Sequence, residues 1–343
     1  MDFQLSEDQR ALQQGIRSFC EDRYRFERIA ALAREPALRE DWQALAGMGV
    51  FGLRLPEQEG GVGVGMAHAA VVFAELGRCL APGPILWSHL LAALIPGAAS
   101  GETLVGGLDC APGGAGFGGG EVGEGGASGG AAPVLIESGA ELDALVVLRG
   151  DGVHRIDGAA LAAGRKVGTP LDPLIPLLHL PALPQGQRIA GTDAAAKLRL
   201  EGAVLVAALQ LGIAESTLQL AVAHAKAREQ FGRPIASFQA IKHFCADMFT
   251  RQELARAAVY AAAATLDDPE IGDPTRAAAA ARIVAGQAAM KNARQCIQIH
   301  GGMGYTWEMP PHYYLKRALV LEQTLTPTDT HRETMAASLA AGG

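Results

Sequence analysis

Aromatic residues make up only 5% of the 343-residue chain. A large aromatic core is excluded, and the interior must be built from Ala, Leu and Val between closely approaching helices. The cysteines Cys20, Cys79, Cys110, Cys245 and Cys296 are odd in number and show no CxxC spacing. That excludes a disulfide framework and suits reduced core thiols in a cytosol. Nine His residues show no metal-ligand spacing with Cys or carboxylates, so no metal is expected. No Lys/Arg cluster is dense enough to neutralise a row of phosphates, and the formal net charge is −7. Nucleic-acid binding is excluded, and any anionic partner must be met locally. No apolar run approaches the roughly 20 residues that span a bilayer. The stretch from Gly202 to Ile213 is short and holds Gln210. The opening MDFQLSEDQR lacks a basic start followed by an apolar stretch and does not read as a signal peptide. A cytoplasmic protein without membrane or nucleic-acid partners is expected.

What is present is helical periodicity at both ends and a break between them. Hydrophobic residues reach 49%, enough for two or three packed units. Ser6 with Gln9 forms a capping-box pattern, followed by Leu12, Ile16 and Phe19 at helical spacing. Asp41 to Met48 and Met66 to Leu80 continue the period around a Gly/Pro-rich turn from Pro56 to Gly65, giving a helical unit over 1–100. Between Gly113 and Gly130 most positions are glycine, a composition that predicts a mobile loop. Ala144 to Leu148, the Asp151-Gly152 turn signal and Val153 to Ile156 predict a hairpin. The Pro-rich segments near Leu171 to Leu183 fit further strands, so 101–198 reads as a small β domain. From 199 to 343 the helical period returns, with long helices predicted at about 201–230, 237–267 and 274–300. Pro234, Asp273-Pro274 and Gly301-Gly302 punctuate them. The pattern is mainly α with an inserted small β domain. By pattern alone an unrelated helical protein with an inserted sheet reads the same way.

Two segments carry chemistry. Arg228-Glu-Gln-Phe231-Gly232-Arg-Pro234-Ile235, followed by Phe238-Gln239, joins two helices. Arg228 offers a fork suited to pyrophosphate and Phe231 can cover an apolar surface. The bland alternative is a helix hairpin with a solvated Arg. Gln298-Ile-His-Gly301-Gly302-Met-Gly304-Tyr305-Thr306-Trp307-Glu308 ends a helix, where the glycines admit a close ligand and Gln298 offers donors and acceptors. The bland alternative is a glycine C-cap. Because the helix comes first, it is not a dinucleotide fingerprint. Tyr313-Tyr314 read as packing residues and His331-Arg332 as a solvated helix start.

Together these segments resemble the acyl-CoA dehydrogenase family, whose C-terminal bundle carries R-x-x-F-G-x-P-I-x-x-F-Q and later Q-x-x-G-G-x-G-Y-T. MDFQLSEDQR and GMGVFGLRLPEQEGG are similar to its opening helix and first turn region. The resemblance implies an N-terminal helical domain, a β-barrel-like middle domain and a C-terminal four-helix bundle. It also implies that Arg228, Phe231, Gln239, Gln298, Gly301, Gly302 and Thr328 hold FAD, the first six gripping the ADP half of a neighbouring subunit's cofactor. The activity implied is α,β-desaturation of an acyl-CoA thioester, with an electron-transfer flavoprotein as a candidate acceptor.

The family's reaction needs a carboxylate to remove the α-proton, usually nine residues after an arginine of an R-D-A-like segment. Counting nine from Arg317 reaches Thr326 in Thr326-Pro327-Thr328. A minority of the family places the Glu ten residues before a glycine corresponding to Gly212, which is Gly202 here. Glu201 adjoins it, but a one-residue step rotates a helical side chain by about 100°. The family's T-E-x-x-x-G-S-D-like and W-I-T-N-like strands, which hold the flavin ring and substrate, are not legible in the middle block. The expected protein is therefore the non-catalytic subunit of a heterotetrameric dehydrogenase (α2β2), completing the FAD site of a catalytic partner. The alternatives are a homo-oligomeric dehydrogenase using Glu201 or Glu322 as an unorthodox base, a flavin-dependent monooxygenase of the same fold, and a non-enzymatic structural relative.

Overall fold

The computed structural model describes residues 4–35, 38–110 and 133–341. The glycine-rich stretch expected to form a loop, Gly113 to Gly130, lies outside them. Helix α1 (Glu7–Arg23) begins at the predicted cap, with Ser6 Oγ accepting from the Gln9 amide at 3.2 Å and the Ser6 amide donating to Gln9 Oε1 at 3.0 Å. Helices α2 (Phe26–Leu32), α3 (Leu38–Gly47), α4 (Met66–Arg78) and α5 (Ile85–Leu91) follow. At seven residues each, α2 and α5 are too short to show a helical period in sequence.

The middle of the chain forms two small sheets from β1 (Val105–Asp109), β2 (Val134–Glu137), β3 (Ala144–Arg149), β4 (Gly152–Asp157), β5 (Arg165–Lys166), β6 (Leu177–Leu180) and β7 (Gln187–Ala190). One runs β1-β3-β4-β7, with β1 parallel to β3, and the other β2-β6-β5. The predicted hairpin is β3-β4. Arg149 stands opposite Gly152, so Gly150 and Asp151 make the turn, one residue earlier than the Asp-Gly signal suggests. Gly152 lies inside the strand with φ +140°, a conformation that only glycine adopts without strain.

The rest is helical: α6 (Thr192–Ala227), α7 (Gln239–Asp267), α8 (Pro274–His300), α9 (Pro311–Gln323) and α10 (Thr328–Ala341). A short ribbon of β8 (Glu229–Gln230) and β9 (Arg233–Pro234) joins α6 to α7. Helix α6 starts at Thr192 rather than near 201 because Asp193 suits the first turn and Ala194 to Lys197 are strong helix formers. By length and composition this helix could cross a bilayer, which the interrupted apolar run did not suggest. Its most apolar 18-residue window, however, is 89% buried within the protein. Asp273 caps α8, accepting from the Thr275 and Arg276 amides at 2.8 and 3.2 Å.

Helix α6 is the central post, packed against α8, α4 and α7. Its crossing with α4 depends on two glycines. A methyl group at Gly77 would overlap the Leu209 carbonyl, and one at Gly212 would overlap the Ala74 carbonyl. The two backbones therefore touch directly. The N-terminal, middle and C-terminal parts are joined at Arg317, which is 6% exposed. Its Nε donates to Asp172 at 2.6 Å and its Nη1 to the Ala81 carbonyl at 3.0 Å.

Gly212→Ala should lower stability by about 1–3 kcal/mol through overpacking, read as a lower urea midpoint. Gly15→Ala is the matched control: it lies within α1 with no atom within 4 Å of a new Cβ. That change should raise stability by up to about 1 kcal/mol.

Candidate functional site

Two regions gather the residues singled out in sequence. The first is where α6 and α8 end side by side. Arg228 caps α6, and the turn of the β8-β9 ribbon is Phe231-Gly232, with φ +55° and +75° at its two residues. Two consecutive left-handed residues are what a two-residue hairpin of right-handed twist requires. The turn lifts Phe231 out to 90% exposure, edge-on to Phe238 at 6.0 Å, with the Arg233 guanidinium 4.3 Å from the Phe238 ring. Gln239 opens α7 and Gln298 lies in the last turn of α8, both exposed. Gly301 ends α8 at φ +62°, and a methyl group placed on either Gly301 or Gly302 would meet no atom within 4 Å.

A contact absent from the sequence reading brings these pieces together. The His224 and His300 rings stack at 4.1 Å, joining the last turns of α6 and α8. His300 Nδ1 lies 2.8 Å from the Cys296 carbonyl. Burial lowers the pKa of both imidazoles, and Arg228 lowers His224 further, which keeps the stack uncharged near neutral pH. His300 stands inside the second motif, but nothing in the spacing of His224 announces its partner. Among the described residues the Arg228 side chain makes no hydrogen bond or ion pair. An unpaired guanidinium, exposed amides and glycines with open space above them fit a pyrophosphate laid across the end of the bundle.

The second region surrounds the two positions where a carboxylate base was sought. They converge: a methyl group on Gly202 would overlap the Leu325 side chain and come within 3.1 Å of Leu90. Leu325 is buried at 4% with φ +58°, a left-handed conformation unfavourable for a branched residue. The turn is held by the fully buried Arg282, whose Nη2 donates to the carbonyls of Leu321, Thr324 and Thr326 at 3.1, 3.4 and 3.2 Å. Arg282 Nη1 donates to Gln210 at 2.9 Å, and Gln210 donates to Glu322 at 3.2 Å. Burial pushes the Arg282 pKa down to about 10. Thr326 thus supplies a carbonyl to the core. Thr328 opens α10 beside this turn rather than at the α6/α8 end, and its buried hydroxyl has no partner. His331, expected to be solvated, is half-buried, and burial and then Arg282 push its pKa down to about 4.

Glu201 turns away from this region. It is 8% exposed and receives a hydrogen bond from Arg54 at 2.7 Å, with Lys197 at 3.9 Å. It ties α6 to the N-terminal helices, as the 100° step implies. Beneath the turn lies a cavity of about 30 Å³ lined by Trp87, Leu209, Arg317, Leu321, Thr324 and Glu137, among others. That is room for about one water. Glu137, which sequence reasoning missed, ends β2 there without a hydrogen bond among the described residues. Burial pushes its carboxyl up to about 7 against the opposing pull of Arg317. Glu137 carries no motif, and only the fold places it there.

Residues 6–102 match the acyl-CoA dehydrogenase N-terminal domain and residues 190–340 the C-terminal domain. The chain is 35% identical to acyl-CoA dehydrogenase IpdE2 of Mycobacterium tuberculosis, over 84% of this chain and 83% of that protein. It is also 35% identical to acyl-CoA dehydrogenase FadE34 of the same organism, over 82% of this chain but only 39% of that longer protein. Among solved structures, the ChsE4-ChsE5 complex from Mycobacterium tuberculosis superposes with a TM-score of 0.83 at 25% identity, covering 99% of both chains. By domain content, by identity along most of its length and by fold, this chain belongs to the acyl-CoA dehydrogenase family, FAD-dependent oxidoreductases acting on acyl-CoA thioesters.

Proposed function

We propose that the chain is the non-catalytic subunit of a heterotetrameric acyl-CoA dehydrogenase, one that completes an interface FAD site and leaves α-proton removal to a catalytic partner. The observation that carries this reading is the closure of the space between Gly202 and the 324–326 turn. Neither position holds a carboxylate, and Leu90 and Leu325 fill the gap between them, leaving no room there for an acyl chain. Glu201 and Glu322 are already engaged, by Arg54 and by Gln210. Threonine at 326 cannot stand in for a carboxylate without a base of its own.

The open face at the ends of α6 and α8 supplies the other half of the reading. Arg228 would take the pyrophosphate of the partner's FAD, Phe231 would cover its apolar edge, and Gln239 and Gln298 would bond the nucleotide. Gly301 and Gly302 would let it lie against the backbone. FAD held there would supply a hydride acceptor for the β-hydrogen of the thioester. This chain's residues hold and orient the cofactor without moving a proton. The ChsE4-ChsE5 structure is itself a complex of two chains, which supports an assembly of this type.

Three outcomes follow. In the reconstituted complex, Arg228→Ala should weaken FAD retention by about 1.5–3 kcal/mol, read from the flavin absorbance retained after gel filtration. Unchanged retention would remove Arg228 from the site. Glu201→Gln should cost thermal stability by stranding Arg54 yet leave turnover per folded complex within a few fold, whereas loss of a true base costs roughly 100- to 10,000-fold. A loss on that scale would show that this subunit carries the base.

The third outcome tests the surroundings of Glu137 by pH. Because the folded state raises the Glu137 pKa from 4.5 to about 7, it binds the proton more tightly than the unfolded chain. The corresponding stability is fully present below pH 4.5 and is lost as pH rises through 7. Glu137→Gln should therefore remove a decline on the order of 1–3 kcal/mol across that window. Urea midpoints of parent and variant that stay parallel from pH 4.5 to 8 would place the Glu137 carboxyl in water.

A further inference from the structure

An open cleft of about 390 Å³ runs between the end of α2, the β2-β3 turn and the segment after β5. It falls in the size range of small-molecule sites and shares no residue with the α6/α8 face. Its lining includes two cations, Arg34 and Lys166, neither of which makes a hydrogen bond or ion pair among the described residues. Against these two cations the lining holds one carboxylate, Glu141, so the cleft is net positive.

Trp307 also lines the cleft. Its indole is fixed edge-on by His312 at 4.8 Å and Tyr313 at 5.8 Å, with the Lys316 ammonium 4.0 Å from the ring centre. Despite these contacts it is 56% exposed. A rigid, exposed indole is a ready surface for a flat heteroaromatic ring. Ser138 adds a donor: it is 1% exposed, lines the cleft, and its hydroxyl has no partner. Its backbone is left-handed at φ +53°, an unusual conformation for serine. An orphaned buried hydroxyl is a feature that native proteins seldom leave unexplained. Pro170, Pro173 and Pro176 stiffen the far wall.

We propose that this cleft binds a nucleoside diphosphate, the base resting on Trp307, the phosphates meeting Arg34 and Lys166, and the Ser138 hydroxyl donating to the ligand. The site is separate from the interface FAD site and does not rest on the subunit reading given above.

The test uses the full chain and ADP as the probe. Trp42 and Trp87 are buried, so ligand-induced quenching of indole fluorescence reports on Trp307. Calorimetry run in parallel gives the stoichiometry. ADP is expected to saturate one site per chain below about 1 mM, at least tenfold more tightly than adenosine or inorganic pyrophosphate alone. Arg34→Ala combined with Lys166→Ala should weaken ADP by tenfold or more without moving the thermal midpoint, since both side chains are exposed and unpaired. Absence of saturable binding, adenosine binding as tightly as ADP, or an unaffected Arg34/Lys166 double variant would each overturn the proposal. So would loss of ADP binding in Arg228→Ala, which would assign the nucleotide to the FAD face instead.

Discussion

The arrangement of the whole molecule depends on one guanidinium. Arg317 projects from α9, bonds Asp172 in the middle region and the Ala81 carbonyl in the N-terminal region, and is almost sealed from water. Removing either partner of such a buried pair costs about 3–5 kcal/mol, because the other charge is left uncompensated. The position of α9, and of every turn and cavity beside it, follows from this junction. Glu137 lies within its field, and the carboxyl still stays protonated up to about 7, so burial outweighs the attraction.

A second buried arginine works on a shorter scale. Arg282 has no carboxylate in direct contact; it answers the carbonyls at the end of α9 and the turn beyond it. Those carbonyls are the groups that a helix C-terminus leaves unsatisfied, and a cation there is favoured by the helix dipole. The bonds also hold Leu325 in a left-handed backbone that costs on the order of 1–3 kcal/mol. The 324–326 turn is a strained apolar plug secured by an arginine. Electrostatics that could have stabilised a carboxylate are directed instead at the main chain.

Much of this fold is local and therefore readable. The Ser6/Gln9 capping box, the Asp273-Pro274 start of α8 and the β3-β4 hairpin are decided by near neighbours, and the structure places them as expected. The start of α6 precedes the position that periodicity suggests, because its first turns bury only Ala195 and Leu198 among exposed or half-buried residues, too few to show an apolar period. The helices α2 and α5 leave no trace in the sequence because seven residues hold too few turns to show a period. At the proposed site, the exposed Arg228, Phe231 and Gly301 are visible in the sequence as members of motifs. Glu137, His224 and Ser138 are not, because each acquires its environment from segments far away in sequence. Thr326 stands out in the sequence only by its spacing from Arg317, and its service as a carbonyl for Arg282 cannot be read from a residue more than forty positions away.

The β8-β9 ribbon has a consequence for how the protein must be produced. A phenylalanine held almost fully in water at a rigid tip, with Phe249 and Leu254 also more than half exposed on α7, makes a surface that adheres to other apolar surfaces. The tip cannot retract, because its left-handed pair of residues fixes the turn. Self-association through that face therefore rises with concentration, and it sets how concentrated the chain can be kept on its own.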